Sequence, residues 1–151
     1  MGFPPGIVVI GPRNHESLLL AEVRTDVRDV PAAEVSLKEY MVGRSCSAGL
    51  LVTPERSRIY RNMYTSDSPE SIILEGEFAT EDLLGTFPGS ISDLHLEELL
   101  QERLEDLQAT GNMSSLPAES RELIEDSIGP ALTLGSIRAA GPRWHMRPTG
   151  S

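Results

Sequence analysis

Two short apolar segments near the N-terminus predict a pair of β-strands. The first, Ile7–Ile10, is β-branched throughout and ends in a polar loop. The second, residues 18–25, is apolar at its start and then alternates, which places Glu22, Arg24 and Asp26 on one face. About seven residues join the two segments, so we expect them to pair as antiparallel neighbours.

A helix and further strands are predicted next. Residues 32–43 have apolar positions at helical spacing and end at a glycine, which predicts an amphipathic helix. Residues 48–53 then indicate a buried strand, residues 58–64 an alternating strand, and residues 72–74 a further extended segment. The order strand, strand, helix, strand, strand predicts an α/β fold with a mixed sheet.

The pattern changes to helical spacing beyond residue 85. A leucine stripe from Leu94 to Leu107 predicts an amphipathic helix that ends near Gly111. A second amphipathic helix is predicted over Ala118–Ser127 and should stop at Gly129-Pro130. We therefore divide the chain into an α/β core (1–85), an acidic helical extension packing on that core (86–128) and a flexible tail (129–151). The leucine stripe either packs on the sheet and the second helix or forms an oligomer interface.

Composition adds an uneven charge to this picture. The 151 residues have a formal net charge of −10. Residues 1–65 hold 8 basic and 7 acidic side chains, whereas residues 66–128 hold 2 basic and 16 acidic ones. An acidic average argues against a nucleic-acid binder, but the first half is close to neutral. If the chain binds DNA, the acidic helices should lie on the far side of the sheet from the site.

Neither a membrane span nor a disulfide is predicted. The longest apolar runs are about four residues, far short of the roughly 18 to 20 that cross a bilayer. The single Cys46 has no partner within the chain, so nothing indicates an oxidising compartment. We expect a protein of the cytoplasm with no membrane partner.

The first half also carries a motif. Pro4, Pro5 and Gly6 precede the first strand, the second strand contains Glu22-Val23-Arg24, and the helix bearing Tyr40 and the strand over residues 49–53 follow. Over about residues 4–65 this resembles the core of the PD-(D/E)xK nuclease superfamily. The resemblance implies a restriction-endonuclease-like mixed sheet and a DNA endonuclease dependent on Mg²⁺ or Mn²⁺. In this family a helix usually precedes the first acid-bearing strand, and the sequence predicts none ahead of Ile7–Ile10.

Matched to that family, Glu22 takes the place of the second acid, which is a catalytic residue and a metal ligand. Arg24 takes the place of the family's lysine, and Gly6 stands where the family's first aspartate is expected. Arg24 can hold a phosphate but cannot act as a general base, because its guanidinium stays charged. One carboxylate alone is a poor magnesium site.

Other side chains are candidates to complete such a site. Glu16 and Asp26 could supply the second carboxylate for the metal, and Lys38 on the helix could project toward it as a catalytic cation. Tyr40 fits the tyrosine of the exonuclease branch, although Ser36 replaces that branch's glutamine. The predicted nucleic-acid contacts are Tyr40 and a basic strip on the fourth strand, Arg56, Arg58 and Arg61. Each of these charges also fits an ordinary solvated surface.

Two functions follow from the sequence. The first is a nuclease-related hydrolase, a Mg²⁺-dependent deoxyribonuclease that cleaves phosphodiester bonds in DNA. The alternative is a non-catalytic interaction or oligomerisation module on a degenerate nuclease fold, binding a protein partner or a second copy through its helical region. An enzyme needs a second carboxylate near Gly6, and an interaction module does not.

Overall fold

A six-stranded mixed sheet runs through the chain in the computed structural model, which describes residues 6–13 and 16–139. The strands are β1 (Ile7–Ile10), β2 (Ser17–Val23), β3 (Ala48–Val52), β4 (Arg56–Asn62), β5 (Ile72–Ala79) and β6 (Ser136–Ala139). Their order across the sheet is β5-β4-β3-β2-β1-β6. Only β2 and β3 are parallel, and the remaining neighbours are antiparallel.

Helix α1 (Val30–Gly43) makes the crossover between the two parallel strands. Pro31 lies in its first turn, where a missing N–H removes no helical hydrogen bond. Its buried side chains, among them Leu37 and Met41, cover Val8, Leu20, Leu51 and Tyr60 on one face of the sheet. The predicted order of strand, strand, helix, strand, strand is confirmed for this part of the chain.

The opposite face is covered by four helices: α2 (Thr80–Leu84), α3 (Asp93–Thr110), α4 (Ala118–Ser127) and α5 (Gly129–Leu134). Helix α3 begins where the Ser92 hydroxyl accepts the His95 N–H and ends at Gly111, whose φ of 63° is left-handed. Four leucines of its stripe are fully buried against the sheet, namely Leu96, Leu100, Leu104 and Leu107, whereas Leu94 is exposed. The acidic helices are thus half of the core rather than an appended extension.

The flexible tail predicted over 129–151 is wrong for its described part. Gly129-Pro130 does not end helical structure but begins α5, because proline is well tolerated in a first turn. Residues 136–139 form β6, which pairs with β1 and so covers the outer edge of the N-terminal hairpin. The rest of that segment, residues 140–151, lies outside the described residues. Within the described ranges no helix is long and apolar enough to cross a membrane.

Candidate active site

Glu22 lies at the carboxyl end of β2 and is 5% exposed. Its Oε1 accepts the Val23 N–H at 3.2 Å and Arg24 Nη1 at 2.8 Å. Arg24 also donates from Nη1 to the Val23 carbonyl at 2.7 Å, and its N–H bonds to the Val52 carbonyl. By strand alternation Glu22 is on the same face as Leu20, which is the face that α1 covers. The predicted pair therefore forms a compact, largely buried ion pair at one end of the sheet.

A second buried carboxylate, that of Glu97 on α3, reaches Gly6 at the same end of the sheet. The β1–β2 register pairs Ile7 with Ala21, so Gly6 comes opposite Glu22. A β-carbon placed on Gly6 would lie 2.7 Å from the Glu97 carboxyl carbon and closer still to its Oε1. Glu97 is 8% exposed, and its charge acts on Glu22. The Glu97 carboxylate thus occupies the space that a side chain at position 6 would fill.

Sequence reasoning missed Glu97 because it was counted with the acidic face of its helix. A signal was present, since Glu97 stands three residues before Leu100 and seven before Leu104, both fully buried. That spacing puts its side chain at the border of the apolar stripe. A charged residue at such a position has to be directed toward a polar partner or a site.

Two hydrogen bonds, called here the Thr25–Asp93 clasp, connect the start of α3 to the chain that follows β2. Asp93 Oδ1 accepts the Thr25 N–H at 2.7 Å and the Thr25 hydroxyl at 2.6 Å. Thr25 follows two residues after the end of β2, and Asp93 is the first residue of α3. Glu97 stands one turn further along the helix, so these bonds hold its carboxylate near the start of β1.

Burial raises the pKa of Glu22 above its usual 4.5, and the nearby Glu97 adds to the rise, while Arg24 opposes it. A carboxyl whose pKa is raised on folding contributes stability below its unfolded pKa and loses it as the pH climbs through the folded value. We therefore expect the wild type to lose stability relative to Glu22→Gln as the pH rises above about 4.5. Urea unfolding of the two proteins at several pH values measures this, with Glu98→Gln on the exposed side of α3 as the control. Parallel stability curves for the wild type and Glu22→Gln would contradict it.

Glu16 and Asp26, the two side chains predicted to supply a second metal ligand, are not on β2 beside Glu22. Glu16 precedes β2 while Glu22 is near its end, a separation of roughly 20 Å along an extended strand. Asp26 is not on a strand at all, because β2 ends at Val23 and Asp26 caps a short 3-10 turn. Hydrogen bonds from Arg28 lower the pKa of Asp26 to about 2. Glu16 is thus far from Glu22 along β2, and Asp26 is bonded by Arg28, so a metal shared by either one with Glu22 stays a prediction.

Lys38 also lies away from Glu22. Its Nζ is 5.6 Å from the centre of the Tyr60 ring and 3.9 Å from Glu34 Oε1. Tyr60 is on β4, two strands from β2, which is about 10 Å across the sheet. The Tyr60 hydroxyl donates to Glu34, and burial raises the pKa of Tyr60 well above its ordinary value. Lys38 is thus part of a network between α1 and β4, not of the Glu22 pair.

The basic strip predicted on β4 is divided between the two faces of the sheet. Arg56 and Arg58 both contact Glu77, at 4.0 and 3.4 Å, and Arg58 also lies 3.5 Å from Glu34. Arg61 is on the other face and pairs with Glu75. These ion pairs reduce the positive charge available to a phosphate backbone. The ring of Tyr40 on α1 lies 5.7 Å from the guanidinium of Arg44, which directly follows that helix.

In the part of the chain that the structure describes, no three His, Cys, Asp or Glu side chains are grouped to hold a metal ion. The site has two buried carboxylates, Glu22 and Glu97, with one arginine. Magnesium in proteins keeps several waters and is held by one or two carboxylates together with substrate phosphates, so two acids suffice for it. Protein-family models, curated proteins and solved structures were compared with the chain, and none of them matches it.

Proposed function

We propose that this protein is a metal-dependent hydrolase of phosphodiester bonds in DNA, related to the PD-(D/E)xK nucleases. One observation carries the proposal: the Glu97 carboxylate fills the space where a side chain at position 6 would project, opposite Glu22. The acid that the motif lacks is thus replaced from another element.

Glu22 and Glu97 would hold Mg²⁺ or Mn²⁺, because hard cations prefer carboxylate oxygens. When bound, the cation supplies Lewis acidity toward the scissile phosphate and lowers the pKa of water. Arg24 Nη1 is 2.8 Å from Glu22 Oε1, so its guanidinium borders the same space and can neutralise a phosphate oxygen. It cannot accept a proton, so its role is to bind and orient the phosphodiester.

Helix α3 positions the Glu97 carboxylate. Here α3 packs on β1 and β2 from the opposite face, held by the Thr25–Asp93 clasp. A helix from the second half of the chain would then provide both the covering layer and a carboxylate.

A second candidate function is a non-catalytic interaction module. The observation that favours it is the ion pair between Glu22 and Arg24, which satisfies the acid without any metal. The pairing of Arg56, Arg58 and Arg61 with acids also removes much of a surface for DNA. In that case Glu22, Arg24 and Glu97 would only stabilise the end of the sheet.

Cleavage of labelled single- and double-stranded DNA with Mg²⁺ or Mn²⁺ tests the proposal. We expect cutting that needs the metal and that falls at least about 100-fold in Glu22→Gln, because a preorganised charge at the reacting phosphate is lost. Glu98→Gln, one residue from Glu97 but exposed, is the matched control and should cut like the wild type. Absence of metal-dependent cutting by the wild type would favour the interaction module instead.

A further inference from the structure

A groove opens at the same end of the sheet as Glu22, on the face that α1 covers. It has a volume of about 320 Å³ and lies between the start of α1 and the turn that joins β3 to β4. Its floor includes Leu51, which pairs across the sheet with Glu22 on one side and with Arg58 on the other. The groove is therefore a direct neighbour of the two-carboxylate site.

The walls of this groove combine apolar, polar and charged side chains. Val27 and Val30 give it an apolar side, Arg56 and Arg58 line it from β4, and Glu55 lines it from the turn before β4. Arg58 is held from two directions, by Glu34 and Glu77, so its guanidinium is fixed in place. Val27 is 77% exposed, which leaves an aliphatic side chain in water at the edge of the groove.

We propose that the groove binds one unpaired nucleoside of the substrate, next to the phosphate that lies at Glu22 and Glu97. The base lies against the exposed Val27 side chain, and the sugar–phosphate faces the arginines of β4. This inference rests on the proposed function, because the groove's position beside the carboxylates is what assigns it a nucleic-acid strand. Small-molecule sites in proteins have volumes of about 300–1,000 Å³, so this groove suits a single nucleoside and not a stretch of duplex. The protein therefore prefers single-stranded DNA or unpaired ends.

The variant Val27→Asp tests the groove, since it places a carboxylate where base and phosphate would lie. The side chain is exposed, so the substitution removes no core packing. Val35→Asp is the matched control, because Val35 is an exposed valine, 56% accessible, on α1 and outside the groove. The binding probe is deoxyadenosine 5′-monophosphate in the absence of metal. Its affinity is measured by calorimetry or from amide shifts in NMR spectra.

We expect the wild type and Val35→Asp to bind the nucleotide, and Val27→Asp to bind it at least about tenfold more weakly. In cleavage of single-stranded DNA, Val27→Asp should raise KM by a similar factor and leave kcat nearly unchanged. If the protein cuts DNA but Val27→Asp alters neither nucleotide binding nor KM, the groove proposal is overturned while the proposed function stands. If no DNA is cut but the nucleotide binds and Val27→Asp abolishes binding, hydrolysis fails and the groove remains a nucleotide site.

Discussion

Replacing Gly6 by aspartate should inactivate the protein, and adding Glu97→Ala to that variant should restore it. The β-carbon of residue 6 would overlap the Glu97 carboxylate, so Gly6→Asp displaces Glu97 and crowds two acids into one space. Overpacking of this kind costs about 1–3 kcal/mol of stability. Glu97→Ala empties the space, and the new aspartate then faces Glu22 across β1 and β2.

The four proteins of this cycle give distinct expected rates of metal-dependent cleavage. Glu97→Ala and Gly6→Asp should each cut at least about 100-fold more slowly than the wild type, and the double variant should return to within about tenfold of it. Glu98→Ala combined with Gly6→Asp is the control and should give no rescue. A double variant as slow as Glu97→Ala alone would show that the two positions do not share one site.

Leu100→Ala is expected to have the largest effect on stability. Leu100 is fully buried in the contact between α3 and the sheet. Truncating such a leucine removes its apolar contacts and leaves a cavity, which costs about 2–5 kcal/mol. Urea unfolding followed by circular dichroism measures the difference in the free energy of unfolding. A loss of this size would show that the acidic half of the chain is part of the cooperative core.

Leu94→Ala on the same helix provides the comparison for that measurement. Leu94 is 49% exposed, so its truncation should change stability by less than about 0.5 kcal/mol. If Leu100→Ala were as mild as Leu94→Ala, α3 would be a separate extension and not a layer of the core. Two unfolding transitions in the wild type would lead to the same conclusion.

The first four strands and the helix between them could be predicted because their signals are local. Ile7–Ile10 is β-branched, and the β2–α1–β3 segment changes from strand to helical spacing and back. The two long helices of the second half also have local signals, namely the Ser92 cap and Gly111 for α3. Burial on both faces explains why β2 and β3 are nearly continuous apolar runs.

The later elements depend on distant pairing and could not be predicted in the same way. The second part of β5 has Glu75, Gly76 and Glu77 in succession, which lack strand alternation, and it is held by the register with β4. The four residues of β6 are a strand only because β1 offers a free edge. Tertiary context determines both strands.

The candidate site was predictable only where its residues are close together in the sequence. Strand alternation brought Glu22 and Arg24 together, and the structure holds them as an ion pair. Glu97 is 75 residues from Glu22 in sequence, so no local spacing joins them, whereas strand alternation and the hairpin loop give local reasons to consider Asp26 and Glu16. The strip of arginines was misjudged because strand pairing with β5 supplies the acids that neutralise it.

Titration with Mn²⁺, measured by calorimetry, tests most directly whether Glu22 and Glu97 form one metal site. The same four proteins serve: wild type, Glu97→Ala, Gly6→Asp and the double variant. We predict that the wild type and the double variant bind the ion, and that the two single variants bind it at least about tenfold more weakly. Equal binding by the wild type and Glu97→Ala, or no binding by the wild type, would contradict the account.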